Sequence, residues 1–359
     1  MKSFKMMCSP IVLFILVLMV FSYNSTAEAQ EKVILDTDMV ELYDDGVAMM
    51  MLANDENIDL LGVVVVSGNV WAYEATSYAL RQLEIMGKPD IPVYTGTRHP
   101  LRPSRYEAMS AEREMFGQLG WMGAFNRPEP QSYLELQEDR VPYGGYPKIT
   151  PQDMHGVQFI IDTVKANPGE VTIIAIGPLT NIALAIRLEP EIVSLAKRIV
   201  YMGGAIDVPG NMTPAAEFNW WFDPEAAKMS VRAPFADQLI VGLDVCEKYH
   251  FDKEIFDRIT AVENPVTKFF KDRYGPRIAE KPEYTRLVWD TIAAAVVIDP
   301  TLITEEDTRW VDVNADYTVD YGRSLGYKRQ GPVGTQEARI LYSIDEERFW
   351  DLMVSLLTK

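Results

Sequence analysis

Five mostly apolar runs, at 33–35, 60–66, 171–176, 198–202 and 238–243, are separated by stretches with helical apolar spacing at 75–86, 154–165, 179–188 and 224–231. Strands without polar alternation imply burial on both faces, and amphipathic helices between them supply the crossovers that parallel strands need. The predicted fold is α/β, an open, doubly wound and mainly parallel sheet with helices on both faces. In such a sheet ligands sit beyond the strand carboxyl ends, so the residues that follow each apolar run are where chemistry is expected. The segment 101–146 breaks the rhythm with Gly117, Gly120, Gly123, Gly144, Gly145, prolines and scattered aromatics. A long loop over the active edge, serving as lid or binding loop, is expected there. After Asp290 the pattern gives a helix at 291–298, a strand-rich tail at 310–342 and a closing helix at 345–357.

Residues 1–29 stand apart. Lys2 and Lys5 precede an apolar stretch from Ile11 to Phe21, and Ala27-Glu28-Ala29 offers a small-x-small cleavage site before Gln30. This is the pattern of a secretory signal peptide, and its apolar run is short for a retained span, which takes about 20 residues. The chain is therefore expected to be exported, to a periplasm or out of the cell, with no membrane attachment after cleavage. The remainder, 30–359, shows no linker, low-complexity run or repeat and reads as a single domain.

Charge narrows the partners. The formal net charge is −18, and loss of Lys2, Lys5 and Glu28 with the leader makes it one unit more negative. Nucleic acid and anionic membranes reward clustered Lys and Arg, so neither is an expected partner. Cys246 is the one cysteine outside the leader, which leaves no internal disulfide, and His99, His155 and His250 lack zinc-ligand spacing.

The chemistry starts with Val33-Ile34-Leu35-Asp36-Thr37-Asp38, followed after five residues by Asp44-Asp45 and a helical run from Gly46 to Leu52. Asp44 and Asp45 alone could be surface acids complementing a helix dipole. Asp36 and Asp38, directly after an apolar strand, add like charge that a hard divalent cation would stabilise. Further strand ends are polar: Ser67-Gly68-Asn69, Gly177-Pro178-Leu179-Thr180-Asn181, Met202-Gly203-Gly204 and Asn211 to Asn219. Helix capping accounts for Asn181 and for Asp223 before Pro224. His155 reads as packing, Thr180 as structural, and Asp244 has no assigned role.

With these segments in this order, the chain from Val33 to about Pro300 resembles the inosine-uridine preferring nucleoside hydrolase family. The resemblance implies calcium held by Asp38, Asp45, the Ile176 carbonyl and Asp290, with Asp36 as a supporting acid. It also implies ribose contacts from Asp44, Asn69, Glu217 and Asn219, and a sugar pocket lined by Asn211 and Met202, although a lone Met at a strand end is more commonly core. The implied reaction is hydrolysis of the N-glycosidic bond of a small-molecule ribonucleoside, with Asp38 as general base activating a metal-held water. An oxocarbenium-like sugar explains the negative charge and carboxamides around it. Members are commonly homodimers or homotetramers, and one or the other is expected.

The chain departs from the family pattern twice. The loop Met39-Val40-Glu41-Leu42-Tyr43 lacks the glycine usual there, which restricts its backbone. Trp289, a substrate-pocket candidate, stands before Asp290 where members often carry His, and Trp can stack on a base but not protonate it. Trp220 and Trp221 could stack in the same way, and His250 or a tyrosine could supply the proton. Two other functions compete: an exported calcium-dependent nucleoside or sugar receptor without turnover, and a haloacid-dehalogenase-type phosphatase with Asp36 as nucleophile.

Overall fold

The computed structural model describes residues 30–103, 105–117 and 119–359, so the expected leader lies outside the described residues. Among the described residues no helix is long and apolar enough to cross a membrane. The strands are β1 (Glu31–Thr37), β2 (Ile58–Val65), β3 (Val93–Thr95), β4 (Val171–Ala175), β5 (Arg198–Met202), β6 (Gln238–Val241), β7 (His250–Phe251), β8 (Arg286–Leu287), β9 (Ile303–Val313), β10 (Ser324–Tyr327) and β11 (Gln336–Ile344). Nine of them form one sheet in the order β10-β9-β11-β6-β5-β4-β1-β2-β3, while β7 and β8 pair separately. From β3 across to β11 every pairing is parallel; β9 and β10 close the edge antiparallel. The mainly parallel, doubly wound sheet is thus as predicted.

Alternation along the strands sends side chains into two cores. Val33, Leu35, Val63, Val65, Ile174 and Val200 pack on one face with the helices Asp45–Asn54, Asp290–Ile298 and Glu346–Leu357. Ile34, Val64, Ile173, Ala175 and Ile199 pack on the other with Gly156–Ala166, Thr180–Leu188 and Pro224–Val231. The same period of two places Asp36 on the second face and Thr37 on the first. After β1 the chain winds outward through β2 and β3, then returns to β4 on the other side of β1 and winds away from there. The crevice between the carboxyl ends of β1 and β4 is the topological switch point, where such sheets bind ligands.

Segment 101–146, expected as a long loop over the active edge, carries secondary structure of its own. It contains the helix Arg105–Phe116 and 3-10 turns at Gly123–Asn126 and Glu138–Arg140. Met109, Met122 and Phe125 share a small third core with Trp71, Phe218 and Trp221. A salt bridge of 2.7 Å joins Arg105 to Glu112, both almost wholly buried, and Glu112 accepts a hydrogen bond from Trp221 Nε1. The covering segment is therefore fastened to the floor it covers.

Candidate active site

The end of β1 sets the floor. Thr37 donates its hydroxyl to Asp45 Oδ1 at 2.6 Å, drawing the start of the helix Asp45–Asn54 onto the strand. Asp38 Oδ2 accepts from the Asn69 amide at 2.5 Å. Asp38 Oδ1 and Asp45 Oδ2 are buried without a hydrogen-bond donor. Burial pushes the Asp38 carboxyl up to about 6, with Asp44 opposing its charge, and it raises Asp45 well above the usual carboxylate range, helped by Asp38. Burial and then Asp44, Asp45 and Asp38 raise Asp290 in the same way. One proton, or one cation, would relieve this cluster. Calcium fits the donors: oxygens only, two of them buried and unpartnered. Among the described residues no three acids, histidines or cysteines already stand at cation-binding spacing, so an ion bound here would draw these carboxylates together.

The acidic loop carries the consequence of its missing glycine. Leu42 (φ 56°) and Asp44 (φ 64°) are the non-glycine residues with positive φ among those described. Tyr43 N–H donates to Glu41 O and Asp45 N–H to Tyr43 O, which makes two successive γ-turns. With φ 64° and ψ −69°, Asp44 occupies the strained form of that turn. The Gln82 side chain holds the loop, accepting from Leu42 N–H at 2.8 Å and donating to Val40 O at 3.2 Å. The turn aims the Asp44 carboxylate at the helix Asp290–Ile298, where it accepts from the backbone of Trp289 (2.7 Å) and Asp290 (3.0 Å) and from the Thr291 hydroxyl (2.9 Å). Both its oxygens are engaged, so in this structure Asp44 places Asp290.

The opposite wall is built from β4, β5 and the segment after Asn211. Glu217 caps the short helix Phe218–Phe222, accepting from Asn219 N–H at 2.8 Å and Trp220 N–H at 3.1 Å, and its other contact is Gly204 N–H at 2.9 Å. Burial nevertheless pushes it up to about 7. Asn219 donates to the carbonyls of Ile176 (2.9 Å) and Met202 (3.1 Å), which sets the carboxamide across two strand ends. Asn211 Oδ1 accepts from Phe218 N–H at 2.9 Å. Asn69 Oδ1 accepts from Trp121 Nε1 at 3.0 Å, bringing the covering segment to the rim.

These walls enclose a cavity of about 500 Å³ whose lining includes Asp44, Asp45, Asn69, Ile176, Met202, Asn211, Glu217, Asn219, Trp289 and Asp290. Asp38 lies just beneath the floor and Asp36 deeper still; neither lines the cavity. Asp36 Oδ2 accepts from Asn181 Nδ2 at 2.7 Å, and Asn181 Oδ1 in turn accepts from Thr97 N–H at 2.8 Å. Burial pushes Asp36 up to about 8. With one oxygen committed to Asn181 and none facing the cavity, Asp36 is placed as a supporting acid and not as the nucleophile of a phosphatase.

Asn181 is not the helix cap expected; buried, it orients Asp36 instead. Asp223 does cap the helix Pro224–Val231 and also holds Thr180 and the Leu101 amide. Asp244 fixes the loop after β5 through the amides of Ile206 and Asp207. Trp220 and Trp221 are wholly buried, so neither is available to stack on a base. None of the three histidines lines the cavity: His250 is an exposed residue of β7, and His155 caps the helix Gly156–Ala166. The sequence reading missed Gln82, Trp121 and the arginines of the rim, Arg127, Arg140, Arg273 and Arg286. Nothing in their local sequence marks them, since each arrives from outside the ends of the parallel strands.

The family model for inosine-uridine preferring nucleoside hydrolases matches residues 33–351. The pyrimidine-specific ribonucleoside hydrolase RihB of Shigella flexneri serotype 5b is 31% identical over 332 residues, covering 90% of this chain and 96% of that protein. The uncharacterized protein C1683.06c of Schizosaccharomyces pombe is 38% identical over 236 residues, 66% of this chain and 68% of its own length. Among solved structures, the plant nucleoside hydrolase PpNRh1 superimposes with a TM-score of 0.75 at 26% identity, covering 91% of this chain and 99% of that one. The acidic switch-point cavity and these matches agree, and the chain belongs to the inosine-uridine preferring nucleoside hydrolase family, enzymes that cleave the N-glycosidic bond of ribonucleosides.

Proposed function

We propose that the protein is a calcium-dependent ribonucleoside hydrolase in which Asp38 is the general base. The observation that carries this reading is the pair of buried, unpartnered oxygens, Asp38 Oδ1 and Asp45 Oδ2, at the switch point of the sheet. Asp38, Asp45, Asp290 and the second lone pair of the Ile176 carbonyl would hold the ion. When bound, calcium would supply the positive charge that makes a neighbouring water and the ribose diol more acidic.

Asn69, Asn211, Glu217 and Asn219 present amide and carboxyl groups to the sugar hydroxyls, and Met202 packs beside the ring. Together they fix the anomeric carbon over Asp38, which takes the proton of the attacking water as the C1′–N bond lengthens. Positive charge on the sugar ring develops in a cavity lined by carboxylates, so the transition state is favoured over the neutral ground state. Asp44 acts through Asp290, whose helix it caps. Because the diol is part of the recognition, 2′-deoxyribonucleosides should turn over at least about 100-fold more slowly than ribonucleosides. Equal rates on the two series, measured as free base released, would remove the diol from the account. The leader features at 1–29 support export and so a role in nucleoside salvage outside the cytoplasm, and the habit of the family supports a homodimer or homotetramer.

A further inference from the structure

The cavity has two electrostatic ends. Acids form the floor, whereas Arg127, Arg140, Arg273 and Arg286 line the rim. Four arginines in one cavity stand out in a chain with 52 acidic and 34 basic residues. They do not neutralise the floor, because the main influences on Asp38, Asp45, Asp290 and Glu217 are burial, hydrogen bonds and the other carboxylates. Two of the arginines have carboxylate partners: Arg127 pairs with Glu74 at 2.9 Å, and Arg140 with Asp139 at 3.4 Å. Arg127 is nine-tenths buried, and its Nε has no partner. Among the described residues neither Arg273 nor Arg286 forms a salt bridge, although Glu41 of the same cavity lies close enough to Arg273 to feel its charge. Arg286 instead lies over the ring of Tyr43 and within 5.8 Å of that of Tyr274. Tyr43 in turn meets Trp289 edge-on at 5.7 Å. The Arg286 guanidinium also hydrogen-bonds the Tyr43 side chain, so its charge is met by aromatic rings and a phenol and not by a carboxylate at ion-pair distance.

Resting on the hydrolase reading above, we propose that Arg286, assisted by Arg273, stabilises a leaving base that departs as an anion. No histidine reaches this cavity, so the charge that develops on the base must be met by something other than imidazolium. In the step, the C1′–N bond breaks with its electron pair going to the base nitrogen, and the water oxygen bonds to C1′. One water proton passes to Asp38, and the base anion, spread over its carbonyl oxygens beside the guanidinium, takes up a proton on release. Water is consumed, and no other reactant is needed. A fixed positive charge where negative charge develops is worth about 100-fold or more in rate.

The test compares uridine, whose base leaves as an anion, with nicotinamide riboside, whose base leaves neutral. Both would be assayed as free ribose with wild type, Arg286→Gln, Arg286→Lys and Arg273→Gln. Expected is a loss of about 100-fold for Arg286→Gln on uridine, mainly in kcat, with partial recovery in Arg286→Lys and a smaller loss in Arg273→Gln. Nicotinamide riboside, whose base needs no anion stabilisation, should lose far less than uridine in Arg286→Gln, and a thermal melt of each variant supplies the control for folding. Equal losses on both substrates, or a wild type active on nicotinamide riboside alone, would overturn the inference while leaving the hydrolase reading intact. Ribose released from neither substrate by wild type would overturn both.

Discussion

Buried acids that face one another should make the calcium-free protein less stable as pH rises. Asp36, Asp38, Glu217 and Asp223 are pushed up to about 8, 6, 7 and 6 respectively, mainly by burial. A carboxyl raised in the folded state binds more protons there than in the unfolded chain, so stability is highest at low pH and is lost as pH climbs through the folded pKa. Between pH 5.5 and 8 the unfolded acids are already ionised. The loss is then about 3 kcal/mol for Asp36, about 2 for Glu217 and about 1 each for Asp38 and Asp223. Taken together, on the order of 7 kcal/mol, this corresponds to roughly 10 °C in Tm for a chain of this length. Acids whose pKa is lowered, such as Glu31 and Asp312, titrate below that window. His155, held low by burial, acts in the opposite sense, but as a single group. Thermal melts at pH 5.5 and 8, in chelator and in calcium, measure the effect. In chelator Tm should fall across the window, and calcium should raise Tm more at pH 8, where protons no longer compete for the same oxygens. Asp36→Asn should flatten the chelated slope by about half. A chelated protein as stable at pH 8 as at 5.5, with an equal calcium response at both, would refute the reasoning.

Three other outcomes follow from single contacts. A Cβ at Gly68 would lie 2.1 Å from Asp38 Oδ2 and 2.6 Å from Pro178 Cδ, so Gly68→Ala should cost about 1–3 kcal/mol in a denaturant melt and abolish measurable turnover. Gln82→Ala leaves the Leu42 N–H without its acceptor and frees a strained loop; calcium titration should show weaker binding, and hydrogen exchange should accelerate at 39–45. Glu112→Ala strands the buried Arg105 charge at a cost of about 3–5 kcal/mol, and limited proteolysis should then cut first within 101–146.

The fold was legible because its strands carry the signal in consecutive residues. β1, β4, β5 and the helix Pro224–Val231 lie where the apolar pattern puts them, and the residues at their ends meet in one cavity. What the sequence hid depends on long-range partners. Asn181 looks like a helix cap until Asp36, 145 positions away, supplies its partner. Asp44 looks like a ribose ligand or a dipole-complementing acid, yet a positive φ turns it onto the helix that begins at Asp290. Segment 101–146 reads as loop because its helix is fixed by the Arg105–Glu112–Trp221 contacts rather than by a strong apolar face. The rim arginines come from four separate places in the chain, so no local spacing announces them.

The most direct measurement is release of free ribose from a panel of ribonucleosides by wild type and Asp38→Asn, each with calcium and with chelator. The account predicts ribose from wild type in calcium, loss of release on chelation with recovery when calcium is restored, and an Asp38→Asn protein that still binds nucleoside but releases no ribose. Undiminished release by Asp38→Asn, or by wild type freed of calcium, would contradict it.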